Sequence, residues 1–189
     1  MAEADSHLLH LGVAEQGKIH LLDGRHGDAL RHFREAIRMA VAAHAPEIFF
    51  RHYTQCVLES LELSSDYEEI IAYCRDADAH YVKIESDEPI LAKDHGATLE
   101  RLGIALLLTG RREEAADALR RAAERAGPGQ LPLAEALADW LRRGLSVPLP
   151  VLRQAQRRHG YFSVRRETVR RAIAVQLPAS AGRSRAVLA

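Results

Sequence analysis

Ten histidines and two cysteines are the side chains of this 189-residue chain best suited to bind a metal ion or act as nucleophiles. Metal sites place such ligands at short, recurring spacings, as in His-Glu-x-x-His on one helix. His7 and His10 share a helix face, but neither has a cysteine or carboxylate at a ligand spacing. Cys56 and Cys74 form neither a metal-binding pair nor a disulfide framework. We therefore expect no metal site, no cofactor and a reduced environment.

The acidic runs and the glycine-rich stretches also lack a catalytic motif. "DYEEI" and "RREEA" place acidic residues at predicted helix starts, where they favour the helix dipole. "GRHGDA" and "AGPGQ" have the composition of turns and do not form a phosphate-binding loop. Cys74 is predicted to be a buried packing residue. We therefore expect no catalytic residues and a protein that is not an enzyme.

The arginines are concentrated at the C-terminal end of the chain. From Trp140 onward there are eleven arginines and one acidic residue, Glu167. Because the formal net charge of the whole chain is zero, the preceding part carries a matching negative excess. This separation predicts two surfaces with different partners, or two parts of the chain that attract each other.

The composition favours helices and argues against a membrane protein. Apolar residues make up 47% of the chain, with Ala and Leu prominent, and aromatic residues only 5%. Apolar runs are all shorter than the roughly 20 residues of a membrane span. The first residues, "MAEADSHLLH", are acidic where a signal peptide is basic. We therefore expect a cytoplasmic protein, and the abundance of Arg over Lys favours a bacterial source with a GC-rich genome.

Two stretches of the acidic part share one pattern of small and bulky residues: Gly, Gly, Ala, a bulky apolar residue and Ala, at intervals of seven, five, four and three residues. The two copies are Gly17, Gly24, Ala29, Phe33, Ala36 and Gly103, Gly110, Ala115, Leu119, Ala122. The first Gly is expected to let two helices approach closely, and the second to end a helix in a left-handed turn. A degenerate middle copy has, in the same order, Leu58, Ser65, Ile70, Cys74 and Ala77.

This pattern resembles the tetratricopeptide repeat, a helix-turn-helix pair that stacks into a right-handed solenoid. About three copies cover residues 8–126, with a period of about 43 residues where the usual unit has 34. The resemblance implies an all-α fold of stacked helical hairpins. We expect helices at about 5–23, 26–43, 46–64, 66–82, 88–109 and 111–126.

A seventh helix in "LPLAEALADWLRRG" is expected to cap the stack, with Leu133, Leu137 and Trp140 on one face and Gly144 as its end. The predicted organisation is a repeat domain with its cap over residues 1–145, a basic helical segment over 146–176 and a disordered tail over 177–189. In the basic segment, one helix begins near Pro148 and Pro150 and ends at Gly160, and a second runs from about Ser163 to Gln176.

In the family that the repeats resemble, the first helix of each pair lines a concave groove that binds a protein or peptide. Carried over by position, that groove consists of Leu11, Glu15, Lys18, Leu22, His52, Gln55, Glu59, Glu62, Ala97, Glu100, Arg101 and Ile104. The set is mixed and mildly acidic, so a basic, amphipathic or helical ligand suits it. The resemblance thus implies a non-catalytic adaptor or scaffold.

The basic segment leaves two further interpretations open. "RRETVRRAI" resembles the recognition helix of bacterial helix-turn-helix repressors, which would make the chain a transcriptional regulator that binds DNA through Arg165, Arg166, Thr168 and Arg170, with Arg157 and Arg158 nearby. Val164, Val169 and Ile173 would then pack inward. Alternatively, the arginines lie on a solvent-exposed face, or dock onto the acidic repeats or another acidic protein. Self-association is a further alternative.

Overall fold

The computed structural model describes residues 2–84 and 88–178, with side chains from residue 9 onward in these ranges. The described residues form eight α-helices, two short 3-10 turns and no strand, which confirms the all-α class. The helices are α1 (Ala2–Leu22), α2 (His26–Ala42), α3 (Glu47–Leu63), α4 (Tyr67–Ile84), α5 (Pro89–Leu108), α6 (Arg112–Ala126), α7 (Pro132–Arg142) and α8 (Leu149–Arg158). The 3-10 turns are Arg166–Thr168 and Arg171–Ile173.

The local sequence accounts for these elements. In α2, the buried residues Ala29, Phe33, Ala36 and Ala40 recur at helical spacing and form one apolar stripe. α6 has two glutamates in its first turn and Arg125 in its last, as the helix dipole favours. α7 buries Leu133 and Leu137 as expected. Leu141 is also buried, whereas Trp140, which was predicted on the same face, is half-buried.

The three turns inside the predicted repeats have the same backbone geometry. Gly24, Ser65 and Gly110 have φ values of 75°, 68° and 80°, in the left-handed region. In each turn the next residue donates its N–H to a carbonyl five residues back: Arg25 to His20 at 2.8 Å, Asp66 to Leu61 at 2.8 Å and Arg111 to Leu106 at 2.9 Å. This hydrogen-bond pattern closes the C-terminal end of a helix. The predicted turn positions are therefore confirmed, including Ser65 in place of glycine.

The predicted close approaches are also present. A Cβ atom added to Gly17 would lie 2.8 Å from Cε1 of Phe33, and one added to Gly103 would lie 2.6 Å from Cγ of Leu119. In both copies, therefore, the first glycine faces the bulky residue of the following helix. The four repeat alanines that flank these contacts are fully buried: Ala29, Ala36, Ala115 and Ala122. The hairpin pattern read from the sequence is thus present in the fold.

The chain divides into two compact units. The first contains residues 1–57 and 164–189, and the second contains residues 58–163. In the first unit α1 packs on α2, and in the second α4, α5, α6 and α7 pack in consecutive pairs. The units divide at residues 57/58 and 163/164, whereas the predicted boundaries are at 145/146 and 176/177. α8, with buried Leu152 and Ala155, belongs to the second unit.

The helix predicted from Ser163 to Gln176, and with it the recognition helix in "RRETVRRAI", is wrong. Around its two 3-10 turns this stretch is extended, with Arg165 at φ −133° and ψ 149° and Val169 at φ −82° and ψ 124°. An α-helix would need its N–H groups for its own carbonyls. Here the N–H groups of Arg170 and Val175 donate to α1 instead. Of the predicted inward residues, Val164 is buried and Ile173 is exposed.

The predicted disordered tail begins at residue 177. Leu177 and Pro178 belong to the described residues and make hydrogen bonds to α2. Residues 179–189 lie outside the described residues, so that part of the prediction stays untested. Among the described residues, none of the helices has both the length and the apolar character needed to cross a lipid bilayer.

Candidate functional site

Residues 164–178, hereafter the C-terminal arm, lie along α1 and α2 in the first unit. Glu15 of α1 is only 3% exposed and accepts the backbone N–H of Arg170 at 2.7 Å. Its other carboxylate oxygen lies 2.9 Å from Nζ of Lys18 and 3.8 Å from Nε of Arg170. A buried carboxylate is stabilised by such donors. Glu15 and Lys18, two predicted groove residues, are thus brought together beneath the arm.

Gly12 of α1 lets the arm approach the helix backbone. Its carbonyl oxygen accepts the N–H of Val175 at 2.9 Å. A Cβ atom on Gly12 would lie 2.6 Å from both the carbonyl oxygen of Ile173 and Cγ2 of Val175. Any larger residue would therefore push the arm away. The sequence did not identify Gly12 as a site residue. Its one signal there is a glycine within a predicted helix that does not belong to the repeat pattern.

His32 of α2 holds the end of the arm. Nδ1 of His32 lies 2.7 Å from the carbonyl oxygen of Asp28, which only accepts, so Nδ1 carries the proton. Nε2 of His32 is therefore free to accept the N–H of Leu177 at 3.1 Å. Burial lowers the pKa of His32, with smaller contributions from His20 and Arg31. The neutral form of His32 is thus the one that holds the arm.

Further polar contacts fix the last residues of the arm. Nε2 of His20 lies 3.0 Å from Oε1 of Gln176. Arg31 donates to the carbonyl oxygen of Pro178 at 2.6 Å. Together with Glu15, Gly12 and His32, these residues contact the arm at five successive places, four of them on its main chain.

Two aliphatic residues anchor the arm at its ends. Val164 is 7% exposed and belongs to a cluster with Leu21, Ala29, Phe33 and Cys56. Leu177 packs against a second cluster, made of Val13, Ala14, Ala36, Ala40 and Tyr53. Between the anchors the side chains of Arg165, Arg166 and Thr168 are exposed. The arm is therefore held at its ends and through its backbone.

In the second unit, Glu62 of α3 is the centre of a buried polar cluster. It accepts hydrogen bonds from Arg153 at 2.5 Å, Gln156 at 2.7 Å and the hydroxyl of Tyr161 at 2.9 Å. Arg101 completes the cluster, with Nη1 3.5 Å from Glu62 and its guanidinium 4.7 Å from the centre of the Tyr161 ring. Glu59, one turn earlier on α3, accepts the N–H of Ser163. Predicted groove residues thus hold α8 and the residues that follow it.

The ionisation states of this cluster suit a packing role. Burial raises the pKa of Tyr161 well above its usual value, so the hydroxyl keeps its proton and donates a hydrogen bond to Glu62. Burial alone would lower the pKa of Arg101, but the surrounding Tyr161, Glu62 and Glu59 outweigh it and raise the value. Burial raises the pKa of Glu100 to about 7, although its carboxylate accepts the N–H of Ala134 at 2.8 Å.

Most of the predicted groove residues are buried. Seven of the twelve predicted groove residues are buried, namely Glu15, Lys18, Glu59, Glu62, Glu100, Arg101 and Ile104. The other five, Leu11, Leu22, His52, Gln55 and Ala97, are half-buried. C-terminal residues of the same chain cover some of these side chains, as Arg170 does for Glu15 and Ser163 for Glu59, and sequence spacing alone does not reveal such contacts. Glu15, Glu59 and Glu62 therefore face polypeptide in place of solvent.

The arginines predicted to contact nucleic acid or an acidic partner are all exposed: Arg157, Arg158, Arg165, Arg166 and Arg170. Arg170 also lies beside buried Glu15, so docking onto the acidic part of the chain occurs at this residue. The helix that was expected to carry three of them into a DNA groove is replaced by extended backbone. DNA binding by this segment stays a prediction.

Both cysteines lie in the interior. Cys56 and Cys74 are fully buried, as predicted for Cys74, and burial raises the pKa of Cys74 to about 12. Its thiol is therefore not an activated nucleophile. Within residues 9–84 and 88–178, no three His, Cys, Asp or Glu side chains are placed to hold a metal ion.

Comparisons with protein-family models, with curated proteins and with solved structures find no match to this chain.

Proposed function

We propose that this chain is a non-catalytic, TPR-like interaction module that acts as an adaptor or scaffold in the cytoplasm. In this proposal its hairpins form a right-handed solenoid whose first-helix faces bind a segment of a partner protein. The matched hairpins support the solenoid, since Gly17 against Phe33 and Gly103 against Leu119 repeat one packing unit.

One observation carries the proposal: polypeptide lies on the first-helix faces. In the first unit the arm is held by Glu15 and Gly12 of α1. In the second unit Glu59 of α3 accepts the N–H of Ser163. Helix faces that hold a chain by its backbone have the chemistry needed to hold a partner's chain. The rigid helices also reduce the ordering that binding requires.

Photo-crosslinking in the native cells tests this function. A photoreactive phenylalanine analogue is placed singly at Gln55 or Ala97, two half-buried positions on first helices. The matched controls carry it at Asp76 or Glu113, which are exposed on the second helices α4 and α6. We expect discrete crosslinked partner bands from the first-helix positions and not from the controls. Equal crosslinking from both sets, or none from either, would overturn the proposal.

A further inference from the structure

We propose that the α1–α2 face beneath the C-terminal arm is the binding site for an extended peptide of a partner protein, in which a basic residue lies between two aliphatic residues, and that the arm is its internal competitor. This inference rests on the proposed function and adds the kind of partner and the place where it binds. The site consists of the arm-contacting residues Gly12, Glu15, His20, Arg31 and His32 together with the two aliphatic clusters.

The site recognises main chain, which any extended peptide can supply. Residues of α1 and α2 accept hydrogen bonds from three backbone N–H groups of the arm, those of Arg170, Val175 and Leu177. Arg31 of α2 donates to the backbone carbonyl of Pro178. Every residue has a backbone carbonyl, and every residue except proline has a backbone N–H. The contacts therefore do not require the arm's own sequence.

The side-chain contacts define the partner's chemistry. A small aliphatic residue fits where Val164 enters the cluster of Leu21, Ala29 and Phe33. A basic residue follows at the position of Arg170, beside the buried carboxylate of Glu15. A second aliphatic residue fits where Leu177 packs on the other cluster. The partner segment is thus an extended peptide in the order aliphatic, basic, aliphatic with the spacing of these three arm residues.

The arm has the properties of a segment that can be displaced. It has no α-helix of its own, and most of its side chains face solvent, including Ile173, which is 41% exposed. Segments whose side chains are mostly exposed open at a lower free energy than the core helices of a protein. Because the arm is tethered, it competes at an effective concentration on the order of millimolar. A free peptide therefore binds visibly only when the arm is weakened or the peptide is in excess.

The test uses the full chain and a fluorescein-labelled synthetic peptide with the sequence of residues 164–178, followed by fluorescence anisotropy. Arg170→Pro with Val175→Pro removes two N–H donors of the arm and leaves the site intact. We expect the peptide to bind this double variant at least about tenfold more tightly than it binds the wild-type chain, because the internal competitor is weakened. A labelled peptide with the same two prolines should bind neither chain.

A site variant and its control locate the binding. Gly12→Ala, added to the double-proline chain, places a Cβ where the peptide backbone would lie and should abolish binding. Gly27→Ala, in the same background, is the control, since nothing lies within 4 Å of its added Cβ. Circular dichroism checks that each variant keeps its helices. Equal binding to the double-proline and wild-type chains, or binding that survives Gly12→Ala, would overturn the proposal.

A second measurement covers the case in which the double-proline chain does not fold. Hydrogen exchange of the wild-type chain is followed with and without a millimolar excess of unlabelled peptide. We expect faster exchange in residues 164–178 of the protein, with α1 still protected. Unchanged exchange of the arm would overturn the proposal.

Two outcomes separate this inference from others. A concentration-dependent mass of the wild-type chain that Gly12→Ala abolishes would assign the site to the arm of a second copy and overturn the partner peptide. Partner crosslinks at Gln55 or Ala97 without peptide binding would leave the interaction module standing and overturn the α1–α2 site. Peptide binding without cellular crosslinks would leave the α1–α2 site standing and overturn the interaction module.

Discussion

At the scale of single residues, Gly17 and Gly103 show why a helix keeps a residue that weakens it. A glycine within a helix costs about 0.5–1 kcal/mol relative to alanine. Both glycines lie against the bulky residue of the next helix, Phe33 or Leu119, with no room for a methyl group. The close approach of the two helices therefore outweighs the loss in helix propensity.

Replacing these glycines should destabilise the fold. We expect Gly17→Ala and Gly103→Ala each to lower the free energy of unfolding by about 1–3 kcal/mol, because the added Cβ overpacks the hairpin. Gly27→Ala, with open space around its Cβ, should be neutral or slightly stabilising. Urea unfolding of the three variants measures the difference. Equal stability of Gly103→Ala and Gly27→Ala would contradict the close-approach interpretation.

His32 makes the hold on the arm depend on pH. Burial lowers its pKa in the folded protein below the unfolded value of about 6.5, so its contribution to stability is complete above that value and is lost as the pH falls. Protonation places an N–H of His32 against the N–H of Leu177. Between pH 7.5 and 5.5 we expect the free energy of unfolding to fall more steeply for the wild type than for His32→Gln.

Hydrogen exchange checks the same titration locally. After correction for intrinsic rates, the amide of Leu177 should exchange faster at pH 5.5 than at 7.5 in the wild type, while His32→Gln shows little change. The amide of Ala36, in the interior of α2, is the internal reference. Parallel pH profiles for the wild type and His32→Gln would show that another group controls the arm.

At the scale of elements, the three hairpin turns show how a repeat tolerates degeneration. Ser65 adopts the same left-handed conformation as Gly24 and Gly110, although a residue with a Cβ is strained there. The surrounding hydrogen bonds, such as that from Asp66 to Leu61, hold the turn in place. The turn is thus determined by the hairpin as a whole.

Exchanging serine and glycine at two of these turns gives a reciprocal prediction. Ser65→Gly should raise the free energy of unfolding by about 1 kcal/mol, and Gly110→Ser should lower it by a similar amount, because only the glycine avoids the left-handed strain. Thermal unfolding of both variants and of Ser64→Gly, one residue earlier, measures these shifts. A destabilised Ser65→Gly would mean that the serine side chain, which Tyr67 contacts at 3.2 Å, matters more than the backbone.

The elements were largely predictable, with one informative exception. The bounds of α2, α5 and α6 follow from helical spacing and from glycine and proline at their ends. The stretch after Gly160 has helical composition too, but tertiary contacts supply the partners for its N–H groups, so it stays extended. Helix propensity is too weak to decide such a case.

In the whole molecule, the compact units do not coincide with the acidic and basic parts of the chain, because the basic arm belongs to the same unit as α1 and α2. Residues 164–178 belong to the same compact unit as α1 and α2. The first unit therefore depends on a segment that the chain reaches only after all of the second unit. The basic and acidic parts are joined at particular points, such as Arg170 beside Glu15.

Two truncations test this dependence. A chain that ends at residue 163 should lose protection in α1 and α2, because Val164 and Leu177 leave their clusters. Protection in α5 and α6 should stay unchanged. A chain that ends at residue 178 keeps Val164 and Leu177 and is the control, in which α1 and α2 should stay protected. Hydrogen exchange with mass spectrometry reads all the helices at once. Uniform loss of protection after the first truncation would contradict two separate units.

The positions of most helices, the turns between them and the close contacts inside the α1–α2 and α5–α6 hairpins follow from the amino-acid sequence, because neighbouring residues encode these features. Gly24 and Gly103 could be placed from spacing alone. The burial of Glu15 and Glu62 beneath C-terminal residues of the same chain follows only from the folded structure. The bond from Arg170 to Glu15 joins residues 155 positions apart, and no local preference reports such a contact. A backbone N–H donates one strong hydrogen bond, so a distant acceptor such as Glu15 determines whether that N–H completes a helix or holds the arm.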